Sequence, residues 1–135
     1  MASTQPVLIV SSDRSHRDTL ADLVLKDGLR PVCCQSLAAA KILIGRQPFS
    51  AVLCEDELSD GQFDSLLREE RHHIAAPPIV VISRREDWNS YLAVMALGAF
   101  DYVNYPPHTG EIERSLWIAI SESRRSTELN MKPAA

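Results

Sequence analysis

The sequence predicts an α/β domain in which a parallel sheet of five strands is doubly wound, with helices on both faces. Three observations predict it. Five short runs are apolar on both faces, as a strand covered from both sides requires. Longer segments between them carry apolar residues at helical spacing. The two types alternate five times, which implies parallel strands joined by right-handed crossovers.

The first run is Val7-Leu8-Ile9-Val10. Leu20, Leu23 and Val24 then follow an i, i+3, i+4 pattern, and the helix should end at Asp27-Gly28, where glycine suits a left-handed position. Pro31-Val32-Cys33-Cys34 reads as the second strand and Leu37–Arg46, rich in Ala, Leu and Ile, as the second helix. Ala51-Val52-Leu53-Cys54 is the third strand. Phe63, Leu66 and Leu67 form the apolar stripe of a helix over 62–73. Ile79-Val80-Val81-Ile82 is the fourth strand. Tyr91, Val94 and Met95 share a face over 87–97, and Gly98 stops that helix. Phe100-Asp101-Tyr102-Val103 is the fifth strand, followed by a helix over 111–123 with Ile112, Leu116, Ala119 and Ile120 on one face. Residues 1–5 read as a flexible N-terminus, 6–124 as one domain and 125–135 as a frayed tail.

The 135 residues suit a single domain with an ordinary core. The net charge of -4 argues against direct nucleic-acid binding, which favours a basic face. The only early apolar run is too short for a signal peptide, and no stretch reaches the ~18 to 20 apolar residues of a membrane span, so a cytoplasmic protein is expected. Cys33, Cys34 and Cys54 have no metal-like spacing and read as small buried hydrophobes in a reducing compartment. His16 and His108 have no partner at metal spacing, and His72-His73 reads as a helix-end pair that complements the dipole.

In a doubly wound sheet, ligands bind outside the carboxyl ends of the strands. Function is therefore sought at Ser11-Ser12-Asp13, Glu55-Asp56, Ser83-Arg84-Arg85 and Asn104-Tyr105-Pro106. No glycine-rich loop follows the first strand, which argues against a nucleotide binder. The order and spacing of four segments resemble those of bacterial response-regulator receiver domains, of the chemotaxis-regulator and flavodoxin-like fold. They are the opening 6–13, the stretch 51–63 with Leu58-Ser59-Asp60-Gly61, the strand 78–83, and Gly98-Ala99-Phe100-Asp101-Tyr102-Val103-Asn104-Tyr105-Pro106. The resemblance covers about 6–124 and implies strand order 2-1-3-4-5 and a place in two-component signal transduction.

In that family an Asp accepts a phosphoryl group, an acidic pair and the Asp hold Mg²⁺, a Lys contacts the phosphoryl group, and a Thr or Ser hydroxyl moves to bind it. Positioning and electrostatics supply nearly all of this chemistry. By the resemblance, the acidic pair falls on Ser11 and Ser12, the acceptor on Glu55 and the Lys on Tyr105, whereas Ser83 keeps the hydroxyl and Tyr102 the aromatic switch position. The pocket of Ser11, Ser12, Asp13, Glu55, Ser83 and Tyr105 is thus read as degenerate. No catalytic residue, metal ligand or cofactor is assigned, and Mg²⁺ binding is expected to be weak or absent. Glu55 is open to three readings: a partial mimic of a phosphorylated acceptor, a residual acceptor, or a residue without a role. Asp13 and Asp56 are either shifted metal ligands or, for Asp13, a helix N-cap in competition with Ser15. Arg84 is a candidate cation for Glu55, and a cis bond is expected at Tyr105-Pro106.

The expectation is a non-enzymatic pseudo-receiver that binds a protein partner or dimerises, without phosphorylation. The alternative is a phosphoryl-accepting receiver of a phosphorelay with an unusual site. The resemblance puts the contact on the face of the fourth helix, fifth strand and fifth helix, with Trp88, Tyr91, Tyr102 and Trp117 as aromatic candidates.

Overall fold

The computed structural model describes residues 5–70, 76–83, 88–105 and 110–131; for Trp88 and 123–131 it describes the backbone alone. Among the described residues, seven strands and five helices follow in order: β1 Val7–Val10, α1 Arg14–Lys26, β2 Pro31–Cys34, α2 Leu37–Arg46, β3 Ala51–Glu55, β4 Glu57–Leu58, β5 Gly61–Gln62, α3 Asp64–Glu70, β6 Ile79–Ser83, α4 Trp88–Ala96, β7 Asp101–Asn104 and α5 Glu111–Met131.

Five strands form one parallel sheet in the order β2-β1-β3-β6-β7, which is 2-1-3-4-5 once the small hairpin of β4 and β5 is set aside. The hairpin is antiparallel, pairs Glu57 with Gln62 and Leu58 with Gly61, and is absent from the sequence reading. Its strands are two residues long, too short to show a period of two.

Side chains alternate across each strand, so odd and even positions enter different cores. Val7, Ile9, Ala51, Leu53, Val80, Ile82 and Val103 pack with Leu20 and Val24 of α1 and with Ile112, Leu116 and Ile120 of α5. Leu8, Val10, Val52, Cys54, Ile79, Val81 and Tyr102 pack with Leu37 and Ala40 of α2, Leu66 and Leu67 of α3 and Val94 of α4. All four residues of β1 have no exposed surface, as expected of an inner strand with a core on each side.

Helix boundaries follow local chemistry. Asp13 accepts from the His16 amide as N-cap of α1, and Ser36 accepts from the Ala39 amide as N-cap of α2. Gly28 and Gly98 take φ of 77° and 102° just past α1 and α4, which glycine does without strain. Helix α5 continues to Met131, beyond the Ser123 at which the apolar stripe ends, because no glycine or proline interrupts the chain before Pro133. Helix α3 starts two residues later than expected because the hairpin uses Gly61 and Gln62.

The cysteines differ from one another. Cys54 is fully buried and Cys34 nearly so, but Cys33 is exposed, contrary to the expectation for all three. It lies on edge strand β2, and both of its alternating neighbours in the chain turn to the other core. Burial pushes the Cys34 thiol up to about 11 and the Cys54 thiol further still, and desolvation also raises Cys33.

Candidate functional site

The alternation that builds two cores also divides the strand ends. Glu55 follows Leu53 and Tyr105 follows Val103, so both turn toward α1 and α5. Ser83 follows Val81 and Asp56 follows Cys54, so both turn toward the side of Tyr102 and α4. The residues expected to share one pocket are therefore two groups.

The first group centres on His16, to which the sequence assigns no partner. His16 lies in the first turn of α1 and is 8% exposed. Its Nδ1 is 2.7 Å from Glu55 Oε1, a short contact in which the imidazole donates and the carboxylate accepts. Both side chains are nearly buried, at 10% and 12% exposure. The ring of Tyr105 lies against the imidazole, with centroids 4.2 Å apart and planes tilted by 36°. On the other side, His16 Nε2 is 3.8 Å from Asp13 Oδ2. The spacing of His16 three residues after Asp13, in the turn that follows the first strand, is the signal that could have found it.

The second group is Asp56 and Ser83. Ser83 Oγ donates to Asp56 Oδ2 at 2.8 Å, with the serine buried. Tyr102 is buried beneath them and meets Tyr91 of α4 edge to face, with centroids 5.9 Å apart. An open groove of about 280 Å³ lies over this group, walled by Asp56, Gln62, Phe63, Ser83, Ala93 and Leu97 among others.

The first-strand serines serve local structure. Ser11 is fully buried, and its Oγ donates to the Asp13 carbonyl and accepts from the Asp13 amide, both at 3.1 Å. Ser12 Oγ donates to the Gln35 carbonyl and accepts from the Ser59 amide, both at 2.8 Å. It thus ties the hairpin turn to the loop before α2. Asp60 strengthens the same tie: its two carboxylate oxygens accept from the Leu37 and Ala38 amides at 2.9 and 3.0 Å. Those bonds hold its carboxyl below the usual range. Among the described residues, no three His, Cys, Asp or Glu side chains converge as metal ligands.

Arg84, Pro106, His72, His73 and His108, with the cation and cis-bond expectations attached to them, lie outside the described residues, as does the Trp88 side chain. Trp117 is 43% exposed. The opposite flank of α5 faces β7, where Ser115 Oγ donates to Asp101 Oδ2 at 2.8 Å. Trp117 stands two residues further, roughly 200° round the helix. It is therefore not brought together with Tyr91 and Tyr102. Ile118, 50% exposed and one turn along from Ser115, is on the β7 side, and Leu92 of α4 is 48% exposed.

The chain is 26% identical over 121 residues to the KDP operon transcriptional regulatory protein KdpE of Escherichia coli, covering 90% of this chain and 53% of that protein. It is 30% identical over 103 residues to an NtrX-like response regulator of Rickettsia felis, covering 74% of this chain and 22% of that protein. It thus spans about half of the first relative and about a fifth of the second. No family model matches. The signal receiver domain of a LuxO repressor protein from Vibrio parahaemolyticus superposes with a TM-score of 0.87 at 13% identity, covering 96% of this chain and 99% of that one. The beryllofluoride-activated NtrC4 receiver domain dimer gives 0.79 at 17%, covering 87% and 98%. The fold is that of response-regulator receiver domains.

Proposed function

We propose that this receiver-fold chain, related to response regulators, is a pseudo-receiver: a non-enzymatic module that signals by protein contact without phosphorylation. One observation carries the reading. Both positions that the resemblance makes central already hold an internal partner, Glu55 bonded to His16 and Ser83 bonded to Asp56. A nearly buried carboxylate within 2.7 Å of an imidazole, itself packed against the Tyr105 ring, is poorly placed to attack a phosphodonor. Asp56, one residue on and facing the other way, gives Ser83 the anionic acceptor that a phosphoryl group gives the hydroxyl in active relatives. The mimic is then Asp56 and not Glu55.

The donor set also suits Mg²⁺ poorly. That ion takes hard oxygen ligands near 2.0–2.1 Å in octahedral geometry. Ser11 and Ser12 are neutral and turned into backbone bonds, and Glu55 is engaged by His16. A partner or second copy would bind the face of α4, β7 and α5, where Leu92 and Ile118 are exposed. The NtrC4 receiver forms a dimer, which supports self-association as one mode.

The test is treatment with a small phosphodonor and Mg²⁺ followed by intact mass. No added mass is expected in the wild type. A ~80 Da adduct, one phosphoryl group in place of a proton, lost in Glu55→Gln would overturn the reading in favour of a phosphoryl-accepting receiver.

A further inference from the structure

The first backbone amides of an α-helix have no partner within the helix. In α2, Ser36 takes the Ala39 amide, and the Leu37 and Ala38 amides go to the two carboxylate oxygens of Asp60, at 2.9 and 3.0 Å. Asp60 belongs to the turn of the β4–β5 hairpin. Ser12 holds the same turn: its Oγ accepts from the Ser59 amide and donates to the Gln35 carbonyl. At its other end the hairpin is closed by Asp56, whose carbonyl accepts from the Phe63 amide at 3.1 Å. Asp56 is also pinned to β6 twice. Its amide donates to the Ile82 carbonyl at 2.9 Å, and its Oδ2 accepts from Ser83 Oγ at 2.8 Å. Between the two ends lie two antiparallel pairs, Glu57 with Gln62 and Leu58 with Gly61. One short ladder thus runs from the Asp56–Ser83 pair to the start of α2, with hydrogen bonds at both ends.

We propose that the β4–β5 hairpin is a strap that couples the Asp56–Ser83 pair to the start of α2. The proposal rests on that pairing and goes beyond the pseudo-receiver reading, because it adds a second place where the state of the pair is felt. With the pair formed, Asp56 fixes the base of the hairpin and Asp60 reaches both amides. With the pair broken, the base is free to turn and the Asp60 carboxylate loses its aim. Hydrogen bonds weaken steeply with misalignment, so a small rotation at the base suffices. The strap carries the effect from β6 toward β1, over which α2 packs, and away from β7 at the far edge of the sheet. Coupling of this kind is reciprocal: a partner that grips α2 or the hairpin turn shifts the pair, by its differential affinity for the two arrangements.

The experiment uses the full chain, isotope-labelled for amide NMR. The Leu37 and Ala38 amides hold the Asp60 carboxyl below its usual range, so their shifts follow its titration. Ser83→Ala removes the donor to Asp56 and should raise that pH midpoint by about 0.3, a twofold change in the ionisation constant. Ser115→Ala is the matched control, since it deletes another buried serine that donates to an aspartate at 2.8 Å, outside the strap. It should leave the midpoint where it is. In urea melts, Ser83→Ala and Asp60→Ala together should cost less than the sum of their separate costs. Ser115→Ala and Asp60→Ala should add, as independent sites do. Ser83→Cys keeps the bulk of the side chain with a weak donor, and gives the same tests if Ser83→Ala does not fold. An unmoved midpoint, an equal rise in Ser115→Ala, or additive costs for Ser83 and Asp60 would overturn the proposal. No phosphodonor enters either measurement, so a failure here leaves the pseudo-receiver reading to its own test.

Discussion

His16 holds together the ends of three elements through one ring: its own helix α1, Glu55 on β3 and Tyr105 just past β7. The sequence shows a histidine with no partner at metal spacing, and the partners it has in the fold are 39 and 89 positions away, joined by topology. What was legible is the parity of the strands. Counting by twos from the buried positions already sends Glu55 and Tyr105 to one side and Asp56 and Ser83 to the other. The single pocket expected from the resemblance overlooks that count. Replacing His16 by Ala should leave the nearly buried Glu55 carboxylate without this donor and should cost about 1.5–3 kcal/mol, the range for a hydrogen bond to a charged group. Glu55→Gln should cost less, since an amide still pairs with a neutral imidazole. Urea melts of the two variants decide the order, and equal or reversed costs would show that the short His16–Glu55 contact does not stabilise the fold.

At the scale of elements, the five sheet strands and helices α1, α2 and α4 were legible because each has a strong period or a marked end: Gly28 after α1, Ser36 before α2, Gly98 after α4. The hairpin was not, and it matters because its turn caps another helix. Asp60 is 23 and 22 residues from the amides it accepts, a distance no local capping pattern can span. Asp60→Ala should lower the melting temperature by freeing the start of α2 and the loop tied by Ser12. The dependence on pH follows from the sign of its shift. A carboxyl held below its ordinary range contributes stability while ionised in both states, and loses it as pH falls through the folded value. The difference in melting temperature between wild type and Asp60→Ala should therefore be full near neutrality and shrink below about pH 4. A difference that stays constant into acid would show that the carboxylate's charge plays no part. Gly61, with φ of 144° and a site for Cβ only 3.2 Å from Leu37 Cδ1, explains why the turn needs glycine at that point.

At the scale of the molecule, the alternation of strand and helix specified the architecture, but surface chemistry depends on which flank of a helix faces which edge. Trp117 has the residue type of an interface anchor, yet the Ser115–Asp101 bond puts it on the far flank of α5. Among the described residues, Ile118 of α5 is exposed one turn from Ser115, and Leu92 of α4 is a second exposed apolar group. If copies of this chain associate through that face, Ile118→Asp should weaken association in sedimentation, while Trp117→Ala should leave it unchanged. Both should alter stability by no more than about 0.5 kcal/mol, as exposed positions do. Association that survives Ile118→Asp and fails in Trp117→Ala would move the interface to the other flank.

The uneven burial of the three thiols makes the chain its own unfolding reporter. Only Cys33 meets solvent, whereas Cys34 and Cys54 sit inside with their protons held by burial, and thiolate is the form that reacts. An alkylating reagent should therefore add one label quickly and two slowly, with the slow additions gated by opening of the sheet. At low reagent their rate reads the population of the open form, and at saturating reagent it reads the rate of opening. Cys34, on edge strand β2, should label before Cys54 on inner strand β3 if the sheet frays from its edge. Simultaneous labelling of the two would mean that the sheet opens only as a whole. A clock of this kind needs no engineered probe, and it would time the same opening in every variant named above.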